Sequence, residues 1–133
     1  MPVELVRAPT LSDDVPYAYA AMVGPGSLVF TAGACPLDDD GAVVAPGDAA
    51  AQARRVMDNL EVALAASGCT LADVAKSTVY VASARRDDLV TVWQVVRQRF
   101  GDHDAPSTLL GVAALGYPDQ LVEVEAVAVS APR

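Results

Sequence analysis

The residues most able to do chemistry lie in the stretch Leu121-Val-Glu-Val-Glu-Ala-Val-Ala-Val129. Its alternation has period 2, so it reads as a β-strand. One face carries Val122, Val124, Ala126 and Ala128, and the other carries Leu121, Glu123, Glu125, Val127 and Val129. The first is an ordinary core face. The second sets two carboxylates two residues apart in an otherwise apolar row. A face that simply met water would need no Leu and Val around its acids, so something is expected to cover it. Carboxyls desolvated by a cover bind protons more tightly and can shuttle them near neutrality. A solvated edge strand bearing two charges is the plain alternative.

Other reactive residue types carry weaker signals. His103, the single histidine, stands between Asp102 and Asp104. A Ser-His-Asp arrangement is one reading of it, and a solvated loop histidine is the reading its polar context favours. Cys35 follows Gly33, where backbone can approach a ligand, but a small apolar filler explains it as well. Trp93 falls on the apolar stripe of a helix, which suits a core or interface position better than substrate stacking. Tyr17 directly follows Pro16, which partly fixes the chain direction there. Ser107 and Thr108 have no local feature that separates function from ordinary strand chemistry. Asp38-Asp39-Asp40-Gly41 is a turn with exposed acids, too short a ligand series for a calcium loop, so no metal is expected. Gly24-Pro-Gly26 lacks the further glycines and the lysine of a phosphate loop, and no Ser or Cys sits in a nucleophile elbow.

The composition narrows the partners. Nine Lys and Arg against 17 Asp and Glu give a net charge of −8, with 53% hydrophobic and 20% charged residues. Such a chain is globular and slightly greasy. It lacks the clustered cations that nucleic acids and anionic membranes require, since only Arg54-Arg55 and Arg85-Arg86 are adjacent. No run approaches the roughly 20 apolar residues of a membrane span. Pro2, Glu4 and Arg7 leave no apolar region for an export signal. Cys35 and Cys69 have neither zinc nor disulfide-framework spacing. A cytoplasmic location with both thiols reduced is expected. The 133 residues are expected to form a single domain over 1–133.

The elements that must position these residues follow from periodicity and punctuation. Residues 3–7 suit a short strand, and 18–23 and 27–32 suit two strands joined as a hairpin through Gly24-Pro-Gly-Ser27. Asp48 should cap a helix that ends at Gly68, with the stripe Ala53, Val56, Met57, Leu60 and Leu64. Val74 to Ala82 reads as a strand with Lys76, Thr78 and Tyr80 on one face. Asp87 or Asp88 should cap a second helix with the stripe Leu89, Val92, Trp93, Val96 and Phe100, ended by Gly101. A strand from about Ser107 to Leu115, a turn through Gly116 and Pro118, and the strand at 121–129 complete the order β-β-β-α-β-α-β-β. Two helices cover one face of a sheet, not two. The uncovered face is the one bearing the acids, so self-association through the sheet is expected.

Together these segments resemble the RidA family, also called the YjgF family, over nearly the whole chain. The resemblance is carried by Pro16-Tyr17, by Phe30-Thr-Ala-Gly33 with Pro36, by Ala51-Gln-Ala-Arg54 and Met57-Asp-Asn-Leu60, by Ala66-Ser-Gly68 through Asp73 to Val81, and by Leu121 to Ala128. It implies a chorismate-mutase-like α+β fold, a mixed sheet with two helices on one face, assembled as a homotrimer with ligand clefts between subunits. It also implies hydrolysis of reactive enamines and imines, such as 2-aminoacrylate, to keto acids and ammonia, with no metal or organic cofactor. Tyr17 matches the family's cleft tyrosine, and Glu123 matches the glutamate that positions or activates water. Ser107 stands where the deaminating members place an arginine that grips the substrate carboxylate. Leu109 replaces a cysteine, Ala32 a serine beside Gly33, and Trp93 an asparagine.

A serine hydroxyl cannot replace a bidentate guanidinium. A charged hydrogen bond is worth roughly 1.5–3 kcal/mol, so an acidic imine should bind at least about tenfold worse. The expected function is therefore hydrolysis of an imine, enamine or related C–N bond in a less acidic substrate. Glu123 and Tyr17 would be catalytic, and Ser107, Thr108, Ala32, Gly33, Leu109 and Trp93 would bind substrate. The alternative is a trimer that holds a small metabolite without turning it over. The ribonuclease activity sometimes attached to the family is disfavoured by the net charge of −8 and the lone histidine.

Overall fold

The computed structural model of the chain describes residues 2–132. In order, the elements are β1 (Val3–Val6), β2 (Ala20–Val23), β3 (Ser27–Phe30), α1 (Ala49–Ala66), a 3-10 turn (Leu71–Asp73), β4 (Val74–Val81), α2 (Arg86–Phe100), β5 (Ser107–Gly111) and β6 (Val122–Ser130). This is the predicted order. β3, β6, β4 and β5 form a four-stranded sheet in that spatial order, with β4 and β5 parallel and the other neighbours antiparallel. The parallel pair is joined by α2, as a parallel connection requires a crossover. β1 and β2 form a separate antiparallel pair.

Both helices lie on one face of the sheet. The stripe read for α1 is wholly buried, from Ala53 to Leu64. It packs on Val79, Val81, Val122, Val124, Ala126 and Ala128 of the sheet, with Val92, Val96 and Phe100 from α2 completing the core. The α1 boundaries follow the sequence signals. Asp48 accepts a hydrogen bond from the Ala51 N–H at 3.0 Å, and Gly68 takes a φ of 76°, which relieves the left-handed turn past the helix end. Among the described residues, no helix is long and apolar enough to cross a membrane.

Three expectations are corrected. β2 and β3 do not pair as a hairpin: β2 bonds to β1 and β3 to β6. Gly24-Pro-Gly-Ser27 is instead a corner between two sheets. There a Cβ on Gly26 would lie 2.1 Å from the Ser130 carbonyl oxygen, so the bare backbone is what passes the end of β6. α2 begins earlier than either expected cap. Asp87 and Asp88 lie inside its first turn, where carboxylates favour the positive end of the helix dipole. Ser83 sets up that start, accepting from the Arg85 N–H at 3.0 Å and donating to Asp88 at 2.6 Å. β5 stops at Gly111, not Leu115, because its partner β4 ends at Val81.

Candidate active site

β6 is an inner strand, and its parity decides which residues meet the helices. Val122, Val124, Ala126 and Ala128 are buried against them, while Glu123 and Glu125 lie on the opposite, open face. That face continues through Leu28 and Phe30 on β3 and Leu110 on β5, which are 55%, 72% and 42% exposed. It is a mixed surface, with Leu28, Phe30 and Leu110 at its flanks and Lys76, Thr78, Tyr80 and Thr108 beside the two acids.

Those acids are not equivalent. Glu125 accepts a hydrogen bond from the Tyr80 hydroxyl at 2.6 Å, which raises the pKa of the tyrosine. Glu123 is held differently, by Gln120 Nε2 at 3.1 Å and Cys35 Sγ at 3.3 Å, both on its Oε1. Its Oε2 lies against Gly33, where a Cβ would come within 2.2 Å. Gly33 is therefore a site of close approach, and what approaches it is the Glu123 carboxylate. Burial, then the hydrogen bond and charge of Glu123, push the Cys35 thiol up to about 11. A thiol held there stays protonated at neutral pH and acts as a donor, not a nucleophile.

The segment carrying Gly33 and Cys35 is tied down on both sides. Thr31 and Ala34 exchange hydrogen bonds with Ala126 and Val124 of β6 at 2.7–3.2 Å. From α1, Asn59 Nδ2 donates to the carbonyls of Cys35 and Leu37 at 2.8 and 3.0 Å, and Arg55 Nε donates to that of Leu37 at 2.9 Å. Ala32, Gly33, Cys35, Asn59 and Tyr117 border a surface groove of about 480 Å³.

Tyr17, Trp93, Ser107, Thr108 and Leu109 line a second hollow of about 360 Å³ at the edge of the sheet. Arg7 places Tyr17 by donating to its carbonyl oxygen at 2.5 Å while pairing with Asp104. The Ala18 N–H donates to the Asp104 carbonyl at 2.8 Å and closes the same corner. The Ser107 hydroxyl is 2.5 Å from that of Ser77 and donates to the Ala105 carbonyl at 2.9 Å, so it is turned inward. Thr108 Oγ1 accepts from Lys76 Nζ at 2.6 Å, which brings an ammonium to the rim. Because Pro106 O and Val112 N bond to β4, the backbone groups of Ser107 and Leu109 point outward from the sheet edge. Trp93 packs partly on the core and partly lines the hollow, so both readings of it apply.

The structure thus gathers five of the proposed site residues in one hollow and Glu123, Gly33 and Ala32 in another place. Within one chain it does not bring the two groups together. Ser107 pairs with Ser77 and Ser77 with Ala126, whereas Glu123 pairs with Tyr80 and Tyr80 with Leu110. Two strand spacings and three residues separate Ser107 from Glu123, about 14 Å, and they face opposite sides of the sheet. His103 is not a solvated loop residue: its Nε2 is 2.7 Å from the Val74 carbonyl oxygen, and its ring packs near Phe100. With Asp104 engaged by Arg7, no triad is built around it. Among the described residues, no cluster of His, Cys, Asp and Glu could hold a metal ion. Sequence reasoning missed Gln120, Asn59 and Lys76. Only Gln120 left a trace, as an amide three residues before Glu123.

Comparison with known proteins agrees with this fold. The family model described as endoribonuclease L-PSP matches residues 12–130. A Rid-family protein of Yersinia pestis, YyfB, superposes with a TM-score of 0.90 at 28% identity, covering 97% of this chain and 99% of that one. The chain is thus a Rid-type α+β protein. It belongs to the endoribonuclease L-PSP family, which is the RidA (YjgF) family. Protein DfrA of Myxococcus xanthus is 35% identical over 115 residues, covering 86% of each chain. The 2-iminobutanoate/2-iminopropanoate deaminase of Escherichia coli strain K12 is 33% identical over 113 residues, covering 84% of this chain and 86% of the relative.

Proposed function

We propose that three copies of this chain bury their open sheet faces against one another, and that the Tyr17 hollow of one subunit meets Glu123 of the next. The cleft so formed hydrolyses an imine or enamine of a small, weakly acidic substrate. The observation that carries this reading is the Glu123 carboxylate, fixed through Oε1 by Gln120 and Cys35 on an uncovered face that also exposes Leu28, Phe30 and Leu110. An isolated chain has no use for an acid anchored there. The deaminase name of the Escherichia coli relative supports the reaction class.

In this scheme Glu123 first gives its proton to the enamine carbon, leaving an iminium and the carboxylate. Water then adds to the iminium carbon as Glu123 accepts a proton from it. The resulting carbinolamine takes that proton on nitrogen and expels ammonia as its hydroxyl proton passes back to Glu123, leaving the carbonyl product. One carboxyl and an ordered water supply every proton movement. Tyr17 orients the ligand, and the outward backbone groups of Ser107 and Leu109 offer it polar contacts. Trp93 and Leu109 favour a neutral or aromatic side chain. The absence of a guanidinium at position 107 argues against tight binding of a second carboxylate.

A second reading is a trimer that binds a metabolite without reaction. The inward Ser107 hydroxyl favours it, because it removes a polar contact from the hollow. The net charge of −8 and a histidine bonded to backbone weigh against RNA as substrate. The test generates imines in situ from acidic, neutral and aromatic amino acids and follows them with wild type, Glu123→Gln and no protein. Acceleration of neutral or aromatic imines that is lost in Glu123→Gln supports the hydrolase. No acceleration of any imine refutes it and leaves the binder.

A further inference from the structure

We propose that Gln120 and Cys35 are positioning residues for Glu123: together they fix Oε1 of its carboxylate and leave Oε2 as the oxygen that carries the proton. The proposal rests on the reading of Glu123 as the proton carrier. Gln120 is buried, with 4% of its surface exposed, and its amide is fully used. Its Nε2 donates to the Val122 carbonyl and to Glu123 Oε1, each at 3.1 Å, while its Oε1 accepts the Tyr117 N–H at 3.1 Å. That set fixes the orientation of the amide, since a flipped group would face the Tyr117 N–H with its own donor.

Cys35 approaches from the other side. Its sulfur lies 3.3 Å from Glu123 Oε1 and 3.4 Å from the Gly33 carbonyl oxygen. The thiol has one proton to give, and an ionised carboxylate is the stronger acceptor. Asn59 anchors the Cys35 carbonyl from α1 at 2.8 Å, which fixes the backbone from which the sulfur reaches the acid. The raised thiol pKa, about 11, keeps this donor protonated across the neutral range.

The two oxygens therefore differ. Oε1 accepts two hydrogen bonds, which occupy its lone pairs. Oε2 accepts none from the described residues, and no buried side-chain oxygen among them lacks a partner, so Oε2 is open to water or ligand. A carboxylate hinged at one oxygen and free at the other delivers its proton along one direction. This is the orientation that proton transfer requires.

The test uses two readouts. The first is turnover of the imine that wild type accelerates most, in Cys35→Ser, Cys35→Ala and Gln120→Met. Cys35→Ser keeps a donor and should stay within about threefold of wild type, whereas Cys35→Ala and Gln120→Met should each lower kcat about tenfold with KM little changed. The second readout does not depend on activity. Alkylation of Cys35 across pH, followed by peptide mass spectrometry with Cys69 as internal reference, reports the thiol directly. Glu123→Gln should move the Cys35 midpoint down from about 11 and leave Cys69 in place. An unmoved midpoint, or full kcat in both Cys35→Ala and Gln120→Met, overturns the proposal. Loss of turnover in Gln120→Met alone, with Cys35→Ala unaffected, overturns the role of Cys35. If wild type hydrolyses no imine while the midpoint still moves, the function of Glu123 is what fails, and its positioning for proton transfer falls with it.

Discussion

Gly33→Ala is the smallest change that should disable the site, and its effect can be worked from the structure. The backbone at Gly33 does not need glycine for its φ; what it needs is space. An added Cβ would lie 2.2 Å from Glu123 Oε2, 2.5 Å from Cδ and 2.7 Å from Cγ. Ordinary contact needs about 3.5 Å, so the carboxylate must retreat by about 1 Å. Its Oε1 is held at 3.1 and 3.3 Å, and a shift of that size takes both bonds past hydrogen-bonding range. Overpacking of this kind costs about 1–3 kcal/mol of stability. A misplacement of about 1 Å in a reacting group costs on the order of 10²-fold in rate. Imine turnover should therefore fall about a hundredfold while the protein stays folded, as calorimetry would verify. In the double variant with Glu123→Gln, the two losses should overlap and not multiply, because both act on the same carboxylate. Gly33→Ala with kcat within threefold of wild type would refute this account of the site.

Three further outcomes follow from other contacts. Gln52→Leu removes a fully buried amide that donates to the Asp119 carbonyl at 2.9 Å and accepts the Leu121 N–H at 2.8 Å; leaving both unpaired should cost about 2–4 kcal/mol in denaturant unfolding. Ser107→Arg should improve binding of carboxylate-bearing imines by about tenfold or more, read as a fall in KM, at a small cost from the lost Ser77 contact. Co-refolding equal amounts of two inactive variants, Tyr17→Phe and Glu123→Gln, should restore about one cleft in four if each cleft takes Tyr17 and Glu123 from different subunits. A site contained within one chain predicts no recovery at all.

Local patterning was a good guide to the elements and a poor guide to their partners. The stripe of α1, its Asp48 cap and its stop at Gly68 are all legible, because each depends on residues within one or two turns. So is the two-faced character of β6. The pairing of β2 with β1 is not legible, because Gly24-Pro-Gly-Ser27 serves equally as a tight turn or a corner. The choice is made by Ser130, a hundred residues downstream in order of magnitude. Side-chain orientation at the site fails in the same way. Period 2 places Glu123 and Glu125 on one face, but does not show that Tyr80, in register with Glu123, reaches diagonally to hydrogen-bond Glu125. A serine at 107 reads as a free hydroxyl until its pairing with Ser77 turns it inward. Gln120 leaves only its spacing from Glu123 as a trace, because its value comes from a burial that the turn around it does not reveal.

The parity of the sheet also bears on how the two groups could ever work together. Ser107 is in register with Ser77 and Leu109 with Val79, both buried on the helix side, while Glu123 is in register with Tyr80 on the open side. Moving Glu123 to the helix face would need a one-residue slip of β6. That slip would also carry Val122, Val124, Ala126 and Ala128 out of the core. Burying a valine side chain is worth about 1.5–3 kcal/mol, so exposing this row would cost a large share of the 5–15 kcal/mol that holds a typical domain together. Glu123, the second residue of β6, is held on the open side by its register with Tyr80 of β4 and by the Ala34–Val124 bridge beside it. This parity is what the proposed sharing of one cleft between two copies accommodates, with Tyr17 from one and Glu123 from the other. The exposed Leu28, Phe30 and Leu110 around the acids then have a reason to be apolar.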